Sequence, residues 1–145
     1  MFETGQDSDL DFQINEASKR NVKIVVAVGR RLPRWPECHD PSWINGMPQN
    51  VLQNAQLSYI EAVVRKYQNI RQITAWQVEN EPFLSTFGIC PPLNKEFLDS
   101  EIALVKKLDV SRPIIITDSG ELSFWIYSGA RAAPAAKRAR RLGTQ

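Results

Sequence analysis

The chain has 145 residues, 43% of them hydrophobic and 23% charged, with a formal net charge of +2, one histidine and two cysteines. A single histidine and two cysteines without Cys-x-x-Cys spacing make no zinc pattern, and no glycine-rich phosphate loop or dinucleotide fingerprint is present, so no metal and no cofactor is expected. No stretch approaches the length of a membrane span. Met1 to Ser8 is polar and has no basic segment followed by an apolar run, so a cytoplasmic chain is the default unless the N-terminus lies inside a longer protein.

In chain order, Asp9 to Arg20 reads as a helix, and Lys23-Ile-Val-Val-Ala-Val-Gly29 as a strand run closed by glycine. Such runs are typical of parallel sheets covered on both faces. A loop follows, Arg30 to Trp43, dense in groups that bind sugars: Arg30, Trp35, Glu37, His39 and Trp43. From Asn50 to Tyr67 the apolar positions Leu57, Ile60, Val63, Val64 and Tyr67 recur at spacings of three and four, the pattern of an amphipathic helix. Residues 73 to 78 form a second strand. Phe97, Ile102, Leu104, Val105 and Leu108 mark a further helix, Pro113 to Thr117 a third strand, and Leu122 to Tyr127 the start of an apolar helix. Alternating short strands and helices predict an α/β fold with a parallel sheet and helices on its faces, and polar residues follow each strand's C-terminal end.

The second strand carries the most informative signal. The run Ile73, Ala75, Trp76, Val78 stops at Glu79, Asn80, Glu81 and Pro82. An amide beside a titratable acid at a strand end suits sugar chemistry: the acid protonates a leaving glycosidic oxygen and the amide binds a ring hydroxyl. The Asn-Glu-Pro ending resembles the fourth-strand signature of the clan of retaining glycoside hydrolases built on (β/α)8 barrels, which includes the cellulase-like family 5 enzymes. The resemblance runs from Leu10 to about Phe124 and is specific mainly at Gln77 to Phe83. It implies that Glu81 is the general acid/base and Asn80 the contact to the 2-hydroxyl. It also implies that the three strands are the third, fourth and fifth of eight, and that the partner is an oligosaccharide or polysaccharide, not nucleic acid or a membrane. The sequence sets no oligomeric state.

Other residues keep two readings. Arg30 either holds a sugar hydroxyl or is a solvated charge beside Arg31. Trp35 and Trp43 offer flat faces to pyranose rings, whereas Trp76, inside the strand, offers a sugar face or fills the core. Period-two alternation would put Glu79 on the side of Glu81, facing the barrel interior and raising the acid's pKa; pairing with an arginine is the alternative. Glu121 follows the third strand and fits a substrate contact better than the nucleophile, which the clan places on the seventh strand. Cys38 and Cys90 fall in loops after neighbouring strands, either bridged or as two thiols.

A complete barrel takes about 250 residues, so residues 1–127 are expected to be part of one, lacking the nucleophile and inactive alone, at most a carbohydrate-binding fragment. Residues 128–145 form an Ala/Arg-rich tail with five basic residues and no acidic one. Without the tail, thirteen basic residues face sixteen acidic ones, a net −3. Such a composition fits an out-of-frame reading of GC-rich DNA or a disordered end better than a nucleic-acid arm, for it has no aromatic interleaving. Sequencing through and beyond the codons for Phe124 to Gln145, with translation in every frame, is expected to give further βα units and a strand-ending Glu. A genuine stop with nothing after it would leave the chain without the nucleophile, a remnant or carbohydrate-binding fragment rather than an enzyme.

Overall fold

The computed structural model describes residues 7–33, 38, 40–84, 90, 93–117 and 125–127. Helix α1 (Asp7–Lys19) leads into strand β1 (Ile24–Val28), and a 3-10 turn at Ser42–Ile44 precedes helix α2 (Gln49–Tyr67). Strand β2 (Ile73–Val78), helix α3 (Lys95–Leu108), strand β3 (Ile114–Ile116) and strand β4 (Trp125–Tyr127) complete the order. The sheet runs β1-β2-β3-β4. Its first three strands are parallel, with Val26 opposite Trp76, Val28 opposite Val78 and Trp76 opposite Ile114.

Register explains the core. Val26, Val28, Trp76, Val78, Ile114 and Ile116 are buried on one face of the sheet, and α2 and α3 pack there through Ile60, Val63, Val64, Leu98, Ile102 and Val105. The apolar stripe of α2 is thus its buried face, with Leu57 half-buried at its start. Asn94 caps α3, its side-chain oxygen accepting the Phe97 N–H at 2.7 Å. Asp11 ties α1 to α2, accepting from the Tyr67 hydroxyl at 2.7 Å and from Lys66 at 2.9 Å.

Two expectations change. The β1 run is not covered on both faces: Val25 is 49% exposed, because the helices lie on one side and Val25 points to the other. Residues 125–127 are not helical but pair antiparallel with β3, Ile115 opposite Ile126. Trp-Ile-Tyr is aromatic and β-branched, which suits a strand, and the edge of β3 presents backbone groups that need a partner. The observed architecture is therefore α/β with a three-stranded parallel portion, compatible with part of a barrel.

The N-terminal ends of β2 and β3 are fastened by a buried charge. Asp109, just past α3, accepts from the Trp76 indole N–H at 2.9 Å, the Ser111 hydroxyl at 2.7 Å and Arg112. Arg112 also donates to the carbonyls of Gln68, Ile70 and Ile73. Burial disfavours the Asp109 charge, but hydrogen bonds from Ser111, Trp76 and Arg112 outweigh it and hold the carboxyl well below the usual carboxylate range. A group depressed on folding contributes stability above its unfolded pKa, near 3.8, and loses it as pH falls below that value. We expect Asp109→Asn to lower unfolding stability by roughly 3 kcal/mol at neutral pH, read from urea midpoints, with the gap to the parent closing as pH drops below about 4. An equal gap at every pH would contradict this.

Candidate active site

Parallel pairing brings the C-terminal ends of β1, β2 and β3 to one edge, and the polar residues that follow them meet there. The ladder continues past the strands: Glu79 N–H donates to Val28 O and Asn80 N–H to Arg31 O, both at 2.9 Å. Asn80 Oδ1 accepts from Gln77 Nε2 at 3.1 Å and from the Thr117 hydroxyl at 3.2 Å. With its oxygen so engaged, the side-chain NH2 is the end of Asn80 suited to a ligand acceptor. Glu81 N–H donates to Thr117 Oγ1 at 3.0 Å, and Glu81 O accepts the Leu84 N–H at 3.0 Å. Glu81 is half-buried.

The backbone here is unusual. Glu79 and Glu81 both lie in the left-handed region, with φ of 58° and 48°, a conformation uncommon outside glycine and costing on the order of 1–3 kcal/mol per residue. Period-two alternation therefore fails for this pair, and Glu79 does not share a side with Glu81 as it would in an extended strand. Glu79 is fully buried. Its Oε1 accepts the Arg30 N–H at 2.7 Å and the Gln56 amide at 2.7 Å, and its Oε2 accepts the Arg31 N–H at 2.6 Å. A Cβ on Gly29, whose φ is 120°, would lie 2.6 Å from the Glu79 carboxyl carbon, so the close approach requires glycine.

Arg31 is the second part of this arrangement. Only 1% exposed, it donates from its guanidinium to Pro82 O at 3.1 Å and to Leu84 O at 3.0 Å. It thereby holds the turn that carries Glu81 against the end of β1. Behind Glu79 stands Glu101 of α3, also buried, whose Oε1 accepts from the same Gln56 amide. Burial pushes both carboxyls up. For Glu79 the Arg30 and Arg31 N–H groups oppose burial, whereas for Glu101 the Glu79 charge reinforces it and raises the group to about 9. The two carboxyls titrate as a pair, both held above the ordinary carboxylate value by burial.

The remaining expected site residues separate. Arg30 is half-buried and paired with Asp40, its Nε donating to Oδ1 at 2.8 Å. Trp43 lies on the 3-10 turn and is 42% exposed. Trp76 is a core residue rather than a substrate contact: no part of the ring is exposed, and its N–H is used by Asp109. Trp35, Glu37, His39 and Glu121 lie outside the described residues. Cys38 and Cys90 form a disulfide joining the segments that follow β1 and β2. Arg31, Gln56 and Glu101 carry no motif; the only signal for Arg31 is an arginine directly after a buried strand and its closing glycine. No group of His, Cys, Asp and Glu suited to a metal ion occurs among the described residues.

No family model matches the chain. It is similar at low identity to mannan endo-1,4-beta-mannosidase A of Emericella nidulans, 24% identical over 133 residues, which cover 83% of this chain and 33% of that protein. It is likewise similar to the probable mannan endo-1,4-beta-mannosidase A-1 of Aspergillus terreus, 28% identical over 118 residues, covering 77% of this chain and 30% of that one. The chain spans about a third of the length of these curated relatives.

The raised Glu101 carboxyl has a consequence for stability. Glu101 keeps its proton in the folded chain up to about 9 but releases it near 4.5 when unfolded. The folded state therefore binds more protons between those values, and stability falls as pH rises through that window. Urea midpoints should decline from pH 5 to pH 9 in the parent and stay nearly level in Glu101→Gln. A Gln variant with the parent's slope would place the proton elsewhere.

Proposed function

We propose that this chain is the acid/base-bearing part of a retaining glycoside hydrolase that cleaves β-1,4-linked mannan. The observation that carries the reading is the position of Asn80 and Glu81 at the C-terminal edge of the parallel sheet. There both residues are held by the ends of the two neighbouring strands, the edge at which barrels place their sites. The named activity of the two relatives supports the substrate class.

In the proposed reaction Glu81 gives its proton to the glycosidic oxygen as the bond breaks, while a second carboxylate attacks the anomeric carbon from the opposite side. Glu81 then takes a proton from the water that releases the sugar. The Asn80 NH2 donates to the 2-hydroxyl, a contact that strengthens as the ring acquires oxocarbenium character. Trp43, exposed at the rim, offers an apolar face to a neighbouring sugar ring, the role also proposed for Trp35. Glu37, His39 and Glu121 are proposed polar contacts, and Arg30 acts through its pair with Asp40.

Retention needs the second carboxylate about 5–5.5 Å from Glu81. The described loops at this edge hold two other acidic residues, Glu79 and Asp40. The first is buried under three donors and the second is paired with Arg30. This favours a second reading for the chain taken alone: it binds carbohydrate and turns over only when further strands supply the nucleophile.

Joined to those strands, the protein should hydrolyse β-1,4-mannan with retention, and Glu81→Gln should lower kcat by roughly 100- to 10,000-fold with KM little changed. Alone, the chain should bind mannohexaose and lose that binding in Glu81→Ala without unfolding. Full activity of the Gln variant in the joined protein would refute the assignment.

A further inference from the structure

We infer that Glu79 is a positioning residue, whose clamp on the Arg30 and Arg31 amides and the Gln56 side chain holds residues 79–81 in the left-handed turn that presents Asn80 and Glu81 at the edge. The inference rests on the reading of Asn80 and Glu81 as the working pair and adds to it the residues that set their geometry.

Three observations converge. The first is connectivity. Glu79 is fully buried, and its carboxylate gathers donors from β1's end (Arg30, Arg31) and from α2 (Gln56). The same peptide's N–H reaches Val28 O. The residue thus binds the neighbouring strand through both main chain and side chain. The second is fit: the space beside the carboxylate is provided by Gly29, where a Cβ would overlap it. The third is conformation. Non-glycine residues at φ of 58° and 48° flank Asn80, and such a backbone persists only where the surroundings over-determine it. The clamp on Glu79 supplies that on one side. Thr117 and Leu84, bonded to the main chain of Glu81, supply it on the other.

Gln56 and Glu101 complete the device. One Gln56 NH2 serves both carboxyls, so α2 and α3 register the position of Glu79 as well as packing on the sheet. A glutamine at position 79 has one carbonyl oxygen in place of two. Its NH2 would face either the Arg30 or the Arg31 N–H, donor against donor, and one arm of the clamp must open.

The test is NMR of the uniformly labelled chain. The reporters are the amide protons of Arg30 and Arg31, shifted downfield by a carboxylate acceptor, and the Cα shifts and scalar couplings that mark the left-handed backbone at residues 79 and 81. In Glu79→Gln we expect loss of at least one downfield amide and of the left-handed signature at both residues. Val105→Ala, which removes core volume from α3, serves as a control of comparable instability and should leave every reporter in place. Retention of the signature in Glu79→Gln, or its loss in Val105→Ala, would overturn the inference. Should Glu79→Gln fail to fold, Gln56→Ala carries the test: the Arg30 amide should move by a smaller amount in a folded chain, and an unmoved amide overturns the proposal. Titration of each folded variant with mannohexaose separates the two readings. A parent that binds no sugar while the reporters respond as expected defeats the mannan assignment and leaves the clamp standing.

Discussion

The interaction on which this edge depends is a carboxylate placed where water cannot reach it. Beyond Val28 and Val78 the regular ladder ends, and two chains leaving a parallel sheet would diverge into separate loops. Glu79 keeps them together by accepting two consecutive N–H groups from β1's end. Hydrogen bonds to an ionised group contribute about 1.5–3 kcal/mol each, against a burial cost of several kcal/mol per ion. Net stabilisation is thus modest, and what the clamp supplies is geometry. Arg31 works in the same sense from the opposite direction, accepting with its carbonyl from Asn80 and donating with its guanidinium to Pro82 and Leu84.

The two ends of the sheet use buried charge differently. At the N-terminal end, Asp109 and Arg112 satisfy one another, the Trp76 indole and three carbonyls. At the C-terminal end the buried Glu79, Arg31 and Glu101, with half-buried Gln56, form a floor, and Asn80, Glu81 and Trp43 stand partly exposed above it. In (β/α)8 barrels the N-terminal face of the strands serves stability and the C-terminal face carries the sites. The disulfide between Cys38 and Cys90 adds a covalent tie between the two loops of the C-terminal end, worth about 4 kcal/mol in the chain-entropy account for a loop of this length.

The helices and the parallel strands were legible because burial on one face imposes a period on the sequence. The α2 stripe ending at Ile60, Val63, Val64 and Tyr67 and, in β3, Ile114 and Ile116 are apolar where the structure buries them. The position of Asn80 and Glu81 at a strand end was legible for a different reason, since a strand ending in polar groups is a local pattern. Glu79 was misplaced because alternation presumes extended backbone, and a left-handed residue reverses the direction in which a side chain leaves the chain. Gln56 and Glu101 were invisible: they lie 23 and 45 residues apart from their partners in the pairs Gln56–Glu79 and Gln56–Glu101. A single polar residue on an otherwise ordinary helix announces nothing until another element is packed on it. Trp76 shows the limit of composition, because an indole near a site reads the same whether it stacks on sugar or closes the core. The short β4 is set by the free edge of β3, which no local pattern in residues 125–127 reveals.

Strain at Glu79 and Glu81 bears on how such a site would work. A left-handed glutamate on either side of Asn80 costs on the order of 1–3 kcal/mol each, and bonds involving Thr117, Gln77, Arg31 and Val28 hold the segment there. A turn held by the fold itself is preorganised, which lowers the ordering cost that any ligand bound at this edge would meet. For an acid that must meet a glycosidic oxygen within hydrogen-bonding reach, displacement of even 1 Å is expensive in rate. A rigid floor beneath an acid that stays partly exposed meets that requirement.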